Sequence, residues 1–98
     1  MIPRLETERL ILRAWRPEDF EAFAAIHGDP DVMTFLGGVQ ERADAFRALS
    51  SLIGHWTLRG YGKWAVERKS DGAMIGRVGL INPEGWPGLE VGWTLGKP

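Results

Sequence analysis

The apolar positions of this chain change period partway along it, and the change separates a largely helical first part from a strand-like second part. Arg9-Leu10-Ile11-Leu12-Arg13-Ala14-Trp15 is a branched-aliphatic run flanked by charge and predicts a first strand. Pro17 suits the first position of a helix, Glu18 and Asp19 favour its positive end, and Phe20, Phe23, Ala24 and His27 fall on one face. Gly28 ends that helix, and Asp29-Pro30 opens a short further turn carrying Val32, Met33, Phe35 and Leu36 up to Gly37-Gly38. From Gln40 to Arg59, Phe46, Leu49, Ile53 and Trp56 recur at spacings of three and four, which predicts a long amphipathic helix closed by Gly60.

Beyond Gly60 the period falls to two. Trp64, Val66 and Arg68 alternate with Ala65 and Glu67 in a second strand, and Met74 to Ile81 returns as a third. Asp71-Gly72 between them is a pair favoured in tight turns, so these two strands are expected to form an antiparallel hairpin. The loop Asn82-Pro83-Glu84-Gly85-Trp86-Pro87-Gly88 leads to a fourth strand, in which Leu89, Val91, Trp93 and Leu95 alternate with Glu90, Gly92 and Thr94. The expected fold class is α+β, in the order β-α-α-β-β-β, with a mainly antiparallel sheet of four strands in chain order. A strand as apolar as the fourth needs a covering layer, and its edge invites pairing with another chain.

Composition narrows the classes of function. Twelve basic and thirteen acidic residues give a net charge of -1, which provides no bulk attraction to nucleic acid or anionic membrane. With no cysteine there is no disulfide framework, thiolate metal site or cysteine nucleophile, and no apolar run reaches the length of a membrane span. The first residues, Met1-Ile2-Pro3-Arg4, do not read as a secretory signal, so a cytoplasmic setting is expected. No phosphate-binding glycine motif and no metal-ligand spacing of His, Asp and Glu is present, so no metal is expected. His27 and His55 read as helix-terminal or partly buried side chains, and Ser50 and Ser51 as ordinary mid-helix residues.

Three positions carry candidate chemistry. Glu90 shares the less apolar face of its strand with Gly92 and Thr94, where a buried carboxylate has a raised pKa and serves as a general base; the competing reading is a solvated strand glutamate. Trp86, between Gly85 and Pro87, is either the wall of an acceptor pocket or a loop anchor. The segment containing Met33, Phe35 and Leu36 is either a second apolar wall of that pocket or a helix-packing connector.

Several phrases, taken in order, resemble the GNAT superfamily of N-acetyltransferases, in particular the ribosomal-protein N-terminal acetyltransferase branch. They are Glu6-Thr7-Glu8-Arg9-Leu10-Ile11-Leu12-Arg13, Arg16-Pro17-Glu18-Asp19, Asp29-Pro30-Asp31-Val32-Met33, Phe35-Leu36-Gly37-Gly38, Gly62-Lys63-Trp64-Ala65-Val66, Ile75-Gly76-Arg77-Val78-Gly79-Leu80 and Leu89-Glu90-Val91-Gly92-Trp93-Thr94-Leu95. The resemblance implies acetyl-CoA as co-substrate, with its pantetheine arm paired to the backbone of the fourth strand at Trp93, Thr94 and Leu95. It also implies direct attack of a primary amine on the thioester, with Glu90 standing where some members carry the general base. The family's Gln/Arg-x-x-Gly-x-Gly/Ala pyrophosphate loop is not among these residues. Residues 1–98 are therefore expected to be the N-terminal part of one GNAT-like domain, ending before that loop and inactive alone. The acceptor is a peptide N-terminus or a small amine. The alternative is a non-catalytic binding or assembly module whose exposed fourth strand drives self-association.

Overall fold

The computed structural model describes residues 2–34 and 38–96, so Phe35 and Leu36 of the expected acceptor wall lie outside the described residues. The elements are β1 (Leu5–Glu6), β2 (Leu10–Arg13), α1 (Asp19–His27), α2 (Pro30–Met33), α3 (Arg42–Arg59), β3 (Lys63–Arg68), β4 (Met74–Ile81) and β5 (Glu90–Leu95). The strands form one antiparallel sheet in the order β1-β2-β3-β4-β5. The four expected strands are all present in chain order, and the two-residue β1 is an addition. It pairs Leu5 with Leu12 and is too short to show any period in sequence.

The punctuation works as its chemistry predicts at most of the expected sites. Gly60 closes α3 in the left-handed conformation at φ 80°, and Asp29 caps α2 by accepting from the Asp31 amide at 2.9 Å. Gly28 instead ends α1 with right-handed geometry. At the β3–β4 turn, Gly72 has φ 72° and the Asp71 carboxylate takes hydrogen bonds from Arg68 and the Ala73 amide. Those bonds hold the Asp71 carboxyl down at about 2.

The core lies between one face of the sheet and α1 with α3, where Phe23, Ala45, Leu49, Leu52, Ala65 and Met74 form one buried cluster. This corrects the expected stripe on α3. Phe46 and Ile53 are exposed, and Ala45, Leu49, Leu52, His55 and Trp56 face inward. Small Ala45 beneath Phe23 lets α1 and α3 approach, while Phe46 turns outward to meet Phe20 edge-on at 5.4 Å.

A buried ion cluster joins this core to the start of the sheet. Arg13 at the end of β2 gives two hydrogen bonds to Asp19, at 2.8 and 2.9 Å, and a third to Glu67 on β3 at 2.8 Å. Asp19 also accepts from the Arg16 amide at 2.8 Å, so one carboxylate fixes the β2–α1 connection and the first turn of the helix. Burial pushes the Asp19 carboxyl up, but the bonds from Arg13 and Arg16 outweigh it and hold the group below its usual range.

Asp19→Ala is therefore expected to cost stability at the lower end of about 3–5 kcal/mol in urea unfolding, because it removes two of the three carboxylate bonds of buried Arg13 and leaves only Glu67. The stabilisation from Asp19 is fully present above the ordinary carboxylate pKa of about 4. It is lost as pH falls through the lower folded value, because there the unfolded chain binds the proton first. The variant should accordingly show less of the acid-induced loss of stability than the parent chain.

Candidate active site

The two faces of β5 are distributed opposite to the simplest expectation. Register carries the Arg13–Ala65–Arg77–Thr94 row and the Lys63–Gly79–Gly92 row across the helix-covered side of the sheet. Thr94 is 4% exposed on that side. The apolar residues of β5 point the other way, and Val91, Trp93 and Leu95 are 66%, 64% and 50% exposed. Their face continues through Leu80, Val78 and Trp64, and the N-terminal segment crosses part of it where Trp64 donates to the Pro3 carbonyl at 2.8 Å.

Of the expected site residues, the structure brings Glu90 and Trp86 together. They share an open hollow of about 480 Å³ with Pro87, Gly88, Leu89 and Val91 at the start of β5. Glu90 is exposed, so the burial expected of a general base there is absent. Met33 is 1% exposed and packs in the interior. Trp93, Thr94 and Leu95 lie on the last strand of the sheet, whose outer edge has no partner strand among the described residues.

Beside Glu90 lies a group of cations that the sequence reading passed over. Lys63 is 7% exposed, and its ammonium reaches across the sheet to within 3.1 Å of the place a Cβ would occupy at Gly92. Its backbone is pinned from two sides, because the Trp15 and Trp56 indoles both donate to the Lys63 carbonyl, at 3.0 and 2.8 Å. Burial pushes the Lys63 ammonium down in pKa, the nearby Arg77 charge adds to this, and Glu90 opposes it. Arg77 is likewise pushed down by burial, and its Nε has no hydrogen-bond partner among the described residues.

His27, expected to be an ordinary helix-end residue, is 1% exposed and stacks on Phe23 at 4.0 Å. Its Nδ1 lies 2.9 Å from the Phe23 carbonyl, which assigns the proton to that nitrogen and leaves a buried lone pair on Nε2. Burial lowers the His27 pKa, the Phe23 bond raises it, and the Arg77 and Lys63 charges lower it further. With the net shift below its ordinary value of about 6.5, this imidazole is neutral at pH 7. His55 is committed to structure, since Nδ1 faces the Tyr61 carbonyl at 2.8 Å and Nε2 accepts from the Asn82 amide at 2.9 Å. A sequence signal for the cations did exist, because Arg77 is the lone charge in the apolar run Met74 to Ile81.

Residues 9–98 match the family model described as an acetyltransferase (GNAT) domain, and the chain belongs to that family. It is 28% identical to the uncharacterized protein YkkB of Bacillus subtilis (strain 168), over 96% of this chain and 56% of that one. An acetyltransferase from Agrobacterium tumefaciens str. C58 superposes with a TM-score of 0.88 at 29% identity, covering 99% of this chain and 56% of its own. A GNAT-family acetyltransferase from Bacillus anthracis gives 0.75 at 22% identity, covering 96% and 54%, which speaks to the fold alone. The chain thus spans a little over half the length of these relatives.

The glycines of the Lys63 row give a direct test of its geometry. A Cβ at Gly79 would stand 2.3 Å from the Gly62 carbonyl oxygen and 2.7 Å from Lys63 Cα, with φ 151°, and none of these atoms can yield. At Gly92 the nearest atom is the end of the flexible Lys63 side chain. Gly79→Ala should destabilise by about 1–3 kcal/mol in thermal or urea unfolding. Gly92→Ala should stay within about 0.5 kcal/mol of the parent chain.

Proposed function

We propose that residues 1–98 are the N-terminal part of a single acetyltransferase domain, and that the whole protein transfers an acetyl group from acetyl-CoA to a primary amine. The observation that carries this reading is the open edge of β5, flanked by an exposed apolar face and the hollow holding Glu90 and Trp86, in a chain of the GNAT family. An extended arm bearing amides fits such an edge by adding as a strand, which assigns the backbone at Trp93, Thr94 and Leu95 to the cofactor. Acetyl-CoA supplies the activated thioester when bound. Backbone donors of β5 would stabilise the charge developing on the thioester oxygen, and Glu90 would take the amine proton, directly or through water, as the carbon–sulfur bond breaks and coenzyme A leaves as its thiolate. Trp86 borders the acceptor side of the same hollow.

The acceptor is a peptide N-terminus or a small amine. The finer likeness to ribosomal-protein N-terminal acetyltransferases rests on the sequence phrases, and a cytoplasmic setting belongs to the same proposal. Among the described residues no helix is long and apolar enough to cross a membrane, and no group of His, Cys, Asp and Glu is placed to hold a metal ion.

No glycine-rich pyrophosphate loop of the kind the resemblance implies occurs in the 98 residues. The 98-residue chain alone is expected to bind acetyl-CoA weakly and to show no appreciable turnover, since an amide nest is the main anchor for such phosphates. Titration with acetyl-CoA, followed by backbone amide resonances, should move Trp93, Thr94 and Leu95. A titration that leaves β5 unchanged would overturn the cofactor assignment, and steady acetylation of any amine by this chain would overturn its expected inactivity.

A second reading, an assembly module, is favoured by the exposure of Val91, Trp93 and Leu95. Burial of such surface is worth about 25 cal/mol per Å², enough for these three side chains to drive weak self-association. Sedimentation over a concentration series should show association of the parent chain and its loss in Val91→Lys. A parent chain that stays monomeric and folded throughout would remove the second reading.

A further inference from the structure

Lys63, buried, and Arg77, half-buried with its guanidinium over the Phe23 ring at 5.9 Å, are neighbouring cations on the helix-covered face, and neither forms an ion pair or a side-chain hydrogen bond with any described residue. Most other cations among the described residues are paired. Arg13 has two carboxylates, Arg42 has Glu21, Arg47 has Asp44, Arg59 has Glu84 and Arg68 has Asp71. Those chelated arginines are mostly on the surface, where pairing contributes little, whereas buried Lys63 and half-buried Arg77, which gain more from a counter-ion, have none among the described residues.

The position is built and not a chance placement of a long side chain. Two indoles hold the Lys63 carbonyl, Gly79 admits the Lys63 backbone at close range, and Gly92 leaves room for the end of its side chain across the sheet. The ammonium ends over Gly92, and Arg77 lies one row away beside Thr94. The titratable groups facing the ammonium are Arg77, His27 and Glu90. Of these, His27 is neutral and Glu90 stands at the rim in solvent.

We propose that Lys63 and Arg77 form a recognition subsite for a carboxylate carried by the amine acceptor. The inference rests on the reading of β5 and Glu90 as the acyl-transfer edge and names the class of acceptor it takes. Lys63 Nζ and Glu90 Oε1 both lie within 4.0 Å of one point, the place a Cβ would occupy at Gly92. An amine and a carboxylate only a few bonds apart, as in an amino acid, span that separation, with the carboxylate on Lys63 and the amine toward Glu90. The near-complete burial of Lys63 limits the group that reaches it to a small one, which disfavours phosphates of a nucleotide. Pairing a desolvated ammonium with a carboxylate also discriminates strongly against a neutral amide, which leaves the charge uncompensated.

The test uses the 98-residue chain with lysine side chains labelled for NMR and requires no turnover. Glycine, β-alanine and glutamate are titrated against their carboxamides, with sodium chloride as the control for screening. At least one carboxylate amine should shift the Lys63 Nζ resonance saturably, raise its apparent pKa and bind at least tenfold more tightly than its amide. Lys63→Met keeps the apolar stem and removes an unpaired charge, so it should melt no lower than the parent chain while losing the preference for the carboxylate. Arg77→Gln should weaken the same response at least threefold. A Lys63 signal that responds alike to acids, amides and salt would overturn the subsite, as would a Lys63→Met chain that retains the preference. Acetyl-CoA shifts on β5 are read separately, so failure of the subsite is distinguishable from failure of the acetyltransferase reading.

Discussion

One buried guanidinium fixes the relation between the sheet and the first helix. Arg13 closes β2, reaches Asp19 at the start of α1 and touches Glu67 in β3, with Arg13 and Asp19 both almost fully out of solvent. Such a pair is weak evidence for net stability but strong evidence for register, because any slip leaves a desolvated charge without its partner. A one-residue shift of β2 would carry Arg13 to the opposite face and break all three of its carboxylate bonds at once. Everything that α1 contributes, including Phe23 over Ala65 and His27 beside the cations, depends on that entry angle.

A second constraint sits on the Lys63 carbonyl. Trp15 approaches it from the β2–α1 connection and Trp56 from the end of α3, so elements distant in sequence converge on a single backbone oxygen. A carbonyl has two lone pairs and here both have donors, which satisfies the indole N–H of buried Trp56 and of half-buried Trp15. The side chain of the same residue runs on toward Gly92. The backbone contact that closes the core therefore also sets where the Lys63 side chain starts its path toward the candidate site.

The sequence was informative about the order of elements and much less so about which faces they present. Period, glycine caps and the Asp71-Gly72 turn locate α3, β3, β4 and β5 closely, because those signals are local. The stripe on α3 was misread since Phe46 and Ile53 have the right spacing and hydrophobicity, while Ala45, which is fully buried, scores as neutral. Helix packing here selects a small side chain over a large one, and a hydrophobicity pattern carries no information about shape. Phe23 needs room, and only the three-dimensional contact reveals it. Likewise the burial of Arg13, Asp19 and Lys63 contradicts the ordinary preference of charged side chains for solvent. Asp19 lies six residues from Arg13, but Glu67 lies fifty-four away, beyond the reach of any local window. For the site, Glu90 and Trp86 were placed together by a loop and strand that are adjacent in sequence. Lys63 and Arg77 required the β3–β4–β5 register to be known.

Alternation along β5 identified two faces correctly but not which one the helices cover. Hydrophobicity alone assigns Leu89, Val91, Trp93 and Leu95 to the interior, yet the helices cover the side bearing Glu90, Gly92 and Thr94. The reason lies in neighbours and not in β5 itself. Register pairs Thr94 with Arg77 and, through it, with Ala65 beneath Phe23, so once β3 and β4 are docked on α1 the orientation of β5 is determined. The helix side of this sheet edge is thus lined by small residues and unpaired cations, although an apolar face was available on the same strand. A fold optimised only for burial would have placed Trp93 there. Glycine at 79 lets the β3 backbone approach closely, and glycine at 92 leaves the place of a side chain to the Lys63 ammonium. This end of the row gives up apolar contact for a charge, the arrangement that a small charged ligand requires and a packed core does not.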